Sequence, residues 1–178
     1  VKARDLKGDK ENIIAVIGDG SLSGGEALEG LNFASELQSN FIIIVNDNDM
    51  SIAENHGGLY KNLKELRESK GTCACNLFKA MNLDYIYVED GNDLETLIHT
   101  FYDIKDIDHP IVVHINTQKG KGYQIAEENK ENWHWCMPFD VETGKPKVTF
   151  EGEDYRNLTA DYLLDKMKKD SKVVTLVA

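Results

Sequence analysis

Three apolar runs most constrain what this chain can fold into. Ile13–Ile17, Phe41–Val45 and Ile111–Ile115 are nearly unbroken stretches of aliphatic residues, and Tyr85–Val88 is a shorter fourth. Runs of this length without polar alternation suit strands buried on both faces. Helical patterns lie between them. Ala27, Leu31 and Ala34 recur at helical spacing, with Leu28 and Leu37 widening the stripe. Leu59 to Arg67 carries Leu63 and Leu66, and Cys75 to Met81 is a further short helix. Asp93 caps a helix to about Lys105 that turns Leu94, Leu97, Ile98 and Phe101 inward. Strand and helix alternate from Ile13 to Ile115, which predicts an α/β fold: a mainly parallel sheet with helices on both faces and right-handed crossovers.

Each of the first two strands empties into a polar turn, Gly18-Asp19-Gly20 and Asn46-Asp47-Asn48. Parallel neighbours bring both turns to one sheet edge, where open α/β sheets bind ligands. Asp19 offers a carboxylate oxygen and Asn48 an amide oxygen. With backbone carbonyls and two phosphate oxygens they make an oxygen set suited to Mg2+. Gly20 lets the backbone approach a phosphate, and N–H groups at a helix start bind anionic oxygens. Ser23 with Glu26 reads as a capping box for that helix. The loop is not a dinucleotide fingerprint, because Asp19 stands inside it. It is not a P-loop either, because no Gly-Lys-Ser/Thr follows.

The net charge of −11 makes nucleic acid or an anionic membrane an unsuitable partner. An anionic cofactor then needs a local device: a metal, a helix end or a placed lysine. No apolar run approaches the ~20 residues of a membrane span, and no signal peptide is visible. Cys73 and Cys75 are separated by one residue, which is not the spacing of a zinc or redox pair. Three cysteines suit thiols in a reducing compartment, with the cytoplasm as the default.

The character changes after residue 116. Thr117 to Tyr123 is a basic, Gly-rich loop, and residues 127–153 have a linker composition. A new helix follows over 157–169, with Leu158, Tyr162 and Met167 inward, and then an apolar run from Val173 that reads as a strand. Residues 1–9 read as a helix tail stopped by Gly8. The chain reads as a piece of something longer.

Four ordered motifs carry a resemblance. GDGSLSGGEALEGLNFA, NDNDMSIAEN, QKGKGYQIAE and WHWCMPFDVETGK together closely resemble the 1-deoxy-D-xylulose-5-phosphate synthases, a transketolase-like branch of the thiamine-diphosphate enzymes. The resemblance implies a thiamine-diphosphate-binding fold, with residues 1–126 as part of a diphosphate-binding domain, 127–153 as a linker and 154–178 as the start of a pyrimidine-binding domain. It implies thiamine diphosphate and Mg2+ as cofactors. Asp19 and Asn48 match the side-chain metal ligands, and Met50 matches a carbonyl ligand. Asp19, Gly20, Ser21, Asn48 and Tyr123 match cofactor-binding positions, and His134 matches a catalytic histidine at the substrate end. Pyruvate and glyceraldehyde 3-phosphate are the implied substrates, in a homodimer serving isoprenoid and thiamine biosynthesis. The alternatives are a ketol transferase of transketolase type and a fragment that binds the cofactor without turnover.

By their local patterns alone, Tyr123 is a loop aromatic, His134 a linker histidine and Met50 a packing residue. His114 reads as a satisfied core or edge histidine, and Lys119 and Lys121 suit equally a phosphate-attracting pair or a solvated basic loop. His56 takes no role. Two features depart from the family: the segment between Arg67 and Tyr85 is short, and Asp90-Gly91-Asn92-Asp93 stands where the family reads DGHD. The family's activating glutamate and its Gly-His-Ser segment match nothing here, so the 178 residues alone are expected to be inactive.

Overall fold

The computed structural model describes residues 1–148 and 152–176. The chain divides into two compact units, Val1–Trp135 and Cys136–Ala178.

The first unit is built on four strands, β1 (Ile14–Gly18), β2 (Phe41–Asp47), β3 (Asp84–Val88) and β4 (Pro110–Asn116). They form one sheet in the order β1-β2-β4-β3, and every pairing is parallel. The helices are α1 (Lys2–Lys7), α2 (Asp19–Leu22), α3 (Gly25–Ala34), α4 (Gly58–Glu68), α5 (Leu77–Ala80), α6 (Leu94–Ile104) and α7 (Gln124–Glu128). The path β1, β2, β3 runs one way across the sheet, and β4 steps back between β2 and β3. Right-handed crossovers then require the helix of the returning step to lie on the opposite face. The two cores show this. Leu31 of α3, Leu63 and Leu66 of α4 and Phe78 of α5 pack with Ile43, Val45 and Val112. Leu97, Phe101 and Ile104 of α6 pack on the other face with Ile42, Ile44, Val113 and Ile115. Fully burying each such side chain contributes about 1.5–3 kcal/mol.

The α/β fold with helices on both faces stands as the sequence predicts it. Gly8 ends α1 in the left-handed region, at φ 74°. Three expectations for this unit are corrected. β1 is an edge strand with one open face: Ile14 is 54 % exposed and Val16 69 %, because the apolar cluster under α6 ends at β2. Ser23 and Glu26 form no capping box. α3 is capped at Gly24 without a side-chain hydrogen bond, since the turn after β1 coils at once into α2 and leaves Ser23 at its C-terminal end. On α6, Leu94 and Ile98 are exposed, and Ile104 takes the inward place. The basic loop of 117–123 is free of helix, as expected, and α7 follows it directly.

The second unit contains α8 (Tyr155–Lys169), capped by Asp154, whose carboxylate accepts the Asn157 N–H at 2.8 Å. None of its residues is buried, so the inward placement of Leu158, Tyr162 and Met167 does not hold within this unit. Residues 173–176 form no strand, and the end of that expected strand, 177–178, lies outside the described residues. Among the described residues no helix is long and apolar enough to cross a membrane.

Candidate cofactor-anchoring site

Parallel register delivers the C-terminal ends of the strands to one edge. Gly18 pairs with Asn46, and Asp47 with Asn116, so Asp19, the 46–50 turn and the 117–120 loop are neighbours. Asp19 is buried, 2 % exposed. Its Oδ1 accepts the Gly20 N–H at 2.8 Å, and its Oδ2 accepts from Asn55 Nδ2 at 3.2 Å. Burial and the neighbouring Asp47 carboxylate push its pKa up to about 6, against the pull of the Gly20 and Met50 N–H groups. A divalent cation at Asp19 offsets both penalties.

Asn48 Oδ1 is buried and has no hydrogen-bond partner. An orphaned buried acceptor costs about 1–3 kcal/mol, and a cation satisfies it. Gly20 lies against the same turn: a Cβ there would stand 2.8 Å from Ser51 Cβ. Tyr60, unforeseen from the sequence, donates its hydroxyl to Gly20 O at 3.2 Å or to Ser23 Oγ at 2.8 Å. Among the described residues no group of three or more His, Cys, Asp and Glu is placed to hold a metal. Asp19 and Asn48 offer one carboxylate and one amide oxygen, which a backbone carbonyl and ligand oxygens would complete to an all-oxygen set. Such all-oxygen sets fit Mg2+, so the residues present fit the implied ion. Ser21 is exposed on α2, beside Gly20.

The 117–135 segment closes over this edge. Lys119 Nζ donates to Ser51 O at 2.5 Å and lies 3.0 Å from His134 Nδ1. Partial burial lowers the Lys119 pKa, and attraction to Asp19 opposes this, which places its charge near the site. The structure therefore brings the exposed His134 to the same edge as Asp19. Tyr123 is half-buried and meets Trp133 edge to face, at a centroid distance of 5.1 Å. Asn92, at the departure from DGHD, accepts the Gln118 N–H at 2.7 Å and so holds the start of this segment.

Under the turn lies a network that the motifs did not single out. Asp47 is fully buried. Its Oδ2 accepts from Arg67 Nη1 at 2.5 Å and His114 Nε2 at 2.8 Å, and its Oδ1 accepts the Asp49 N–H at 3.0 Å. Arg67 Nη2 reaches Asp49 Oδ1 at 2.5 Å. His114 Nδ1 lies 2.8 Å from the Tyr85 hydroxyl, whose proton burial holds firmly in place. Burial alone would raise the Asp47 pKa, but the hydrogen bonds from His114 and Arg67 prevail and hold it at about 2.

Comparison with known proteins bears on this edge. The family model described as 1-deoxy-D-xylulose-5-phosphate synthase matches residues 1–76 and 68–117. Among curated proteins, the 1-deoxy-D-xylulose-5-phosphate synthase 1 of Geobacter sulfurreducens is 34 % identical over 213 positions, covering 99 % of this chain and 33 % of its own length. The 1-deoxy-D-xylulose-5-phosphate synthase of Clostridium beijerinckii is 34 % identical, with 99 % and 34 % covered. A transketolase mutant from Pichia stipitis aligns in three dimensions with a TM-score of 0.49 and 18 % identity, covering 93 % of this chain and 24 % of that one. The chain thus spans about a third of the length of the curated relatives it matches. The first alignment runs at least 35 positions longer than the chain, and the two matched stretches meet at residues 68–76. The break falls within the segment between Arg67 and Tyr85 that is short here. Members of the matched family use thiamine diphosphate and Mg2+. On the match over most of its length and on these identities, the chain belongs to the 1-deoxy-D-xylulose-5-phosphate synthase family.

Proposed function

We propose that this chain supplies the metal- and diphosphate-holding half of an enzyme that condenses pyruvate with glyceraldehyde 3-phosphate to 1-deoxy-D-xylulose 5-phosphate and CO2. The observation that carries this reading is the unpartnered, buried Asn48 Oδ1 on the turn beside the buried Asp19 carboxylate. Asp19, Asn48 and the Met50 carbonyl would hold Mg2+, which would supply positive charge for the diphosphate of the cofactor. Gly20 and Ser21 would offer backbone groups to that diphosphate, and Tyr123 would contact the cofactor. When bound, thiamine diphosphate supplies the electron sink that decarboxylation of a 2-oxo acid requires.

The remaining chemistry in this chain is positioning and proton handling. Lys119 beside Nδ1 makes that nitrogen of His134 an acceptor and leaves the N–H on Nε2. His134 is then set to donate a hydrogen bond to a reacting oxygen, the role of a catalytic histidine. In this reading residues 1–126 are part of a diphosphate-binding domain, 127–153 a linker and 154–178 the start of a pyrimidine-binding domain. The enzyme works as a homodimer in the cytoplasm, on the path to isoprenoid and thiamine precursors.

Product analysis of the full-length protein tests the activity. Release of CO2 from pyruvate with formation of the phosphorylated deoxyketose is expected. Transfer of a ketol unit from a ketose to an aldose, without CO2, would replace this reading with a transketolase type. The 178 residues alone are expected to give no turnover above a protein-free control.

A further inference from the structure

We propose that Arg67 is a positioning residue for the metal site: through Asp47 and Asp49 it fixes the turn that presents Asn48 Oδ1 and the Met50 carbonyl. This inference rests on the functional reading above.

Three carboxylates crowd this edge, Asp19, Asp47 and Asp49, yet the metal reading uses one. Arg67 accounts for the other two. Its Nη1 engages Asp47 Oδ2 and its Nη2 engages Asp49 Oδ1, both at 2.5 Å. His114 takes a second contact on Asp47 Oδ2, and the Asp49 N–H takes Oδ1. Asp47 Oδ2 is thus engaged twice inside the protein, by a guanidinium and an imidazole, whereas Asp19 meets neutral amide donors that a cation can replace. Asp49 is paired with the same guanidinium and sits in the left-handed region at φ 64°. That conformation is uncommon for a side-chain-bearing residue. The chain bends there, between Asn48 and Met50.

The other end of the turn is held as well. Thr117 Oγ1 donates to Asn46 Oδ1 at 2.7 Å, and the Thr117 N–H donates to Asp47 O at 2.8 Å. With its neighbours committed, Asn48 Oδ1 remains as the buried acceptor without a partner. The planar fork of arginine is what bridges two carboxylates at once, and a lysine ammonium has no equivalent geometry. Arg67 itself is placed by α4: Leu63, Leu66 and Arg67 lie at i, i+3 and i+4, so the two leucines that pack in the core aim the guanidinium under the turn.

The experiment titrates Mn2+ calorimetrically into the full-length protein with saturating thiamine diphosphate, and compares wild type with Arg67→Lys. The melting temperature of each is recorded without ligand. Partners that orient metal ligands typically change affinity by about 10–100-fold. Arg67→Lys is expected to weaken Mn2+ by at least ~10-fold, while the unliganded protein still melts cooperatively. Asp49→Asn, which removes an exposed limb of the same bridge, is expected to weaken Mn2+ by a few-fold with its melting temperature unchanged, and it serves if Arg67→Lys does not fold. Wild-type Mn2+ affinity in either folded variant would overturn the positioning role. If the wild-type protein itself takes up no Mn2+ with thiamine diphosphate, the functional reading fails, and that result is distinct from the previous one.

Discussion

Asp47 has no exposed surface and still carries a full negative charge, because Arg67 and His114 both point at it. Arg67 keeps its contact with Asp49 when the Asp47 charge is removed, so the change costs hydrogen bonds to a charged group, about 1.5–3 kcal/mol, and does not orphan the guanidinium. Asp47→Asn is therefore expected to lower the urea-unfolding free energy by about 1.5–3 kcal/mol; a loss below ~1 kcal/mol would mean the pair behaves like an exposed one. The two aspartates of the site also predict opposite pH slopes. The Asp47 pKa is held down at about 2 from 3.8, so its stabilisation is present above 3.8 and is lost as pH falls toward 2. The Asp19 pKa is raised to about 6, so without a cation its contribution falls as pH rises from 3.8 to 6. Melting curves of Asp19→Asn between pH 4 and 7 should lack that decline, and an unchanged decline would place the titration elsewhere. Asp19, Gly20 and Asn48 stand in the two turns that the motifs single out, but the close approach found at Gly20 is to Ser51, which the motifs do not foretell. The partners of Asp47 were not legible either, although a signal existed. Ile43, Val45 and Asp47 share one face of β2, and Val112 and His114 share that face of β4. Carrying the two-residue period two positions past the apolar run puts Asp47 opposite α4. The motif reading stopped at the turn.

At the scale of elements, strand order and helix faces explain which patterns could be read. The apolar runs marked all four strands to within one or two residues at most ends. Edge position is a property of the sheet and not of the strand, so the exposure of Ile14 and Val16 could not be seen in β1 alone. Ser23 failed as a cap for the same kind of reason: α2 forms first and consumes the turn. The N-terminal rim of the sheet carries a separate prediction. His109 precedes β4 and lies 2.8 Å from Asp84 at the start of β3 and 2.9 Å from Asp108. The hydrogen bond to Asp108, reinforced by Asp84, raises its pKa above 6.5. This clasp is complete below pH 6.5 and is lost as pH rises through the raised value. A small fall in melting temperature is expected across that window, and it should vanish in His109→Ala. A fall that persists in the variant would assign it to another group.

For the whole molecule, the two units differ in how they bury apolar surface. Val1–Trp135 has two packed cores around one sheet, whereas α8 buries none of its residues within Cys136–Ala178. Amides of α8 are expected to exchange hydrogen far faster than those of β2 and β4 in these 178 residues. Equal protection would show that α8 is covered by a surface its own unit does not provide. The chain spans about a third of the length of the curated relatives it matches, so the site is best tested as an anchoring site, apart from turnover. The direct measurement is electron paramagnetic resonance of Mn2+ added to the full-length protein, with and without thiamine diphosphate. The account predicts that free Mn2+ signal is lost on addition of the cofactor in wild type, and that the loss is abolished in Asp19→Ala and in Asn48→Ala. Uptake of Mn2+ that ignores the cofactor, or that survives both substitutions, would contradict it.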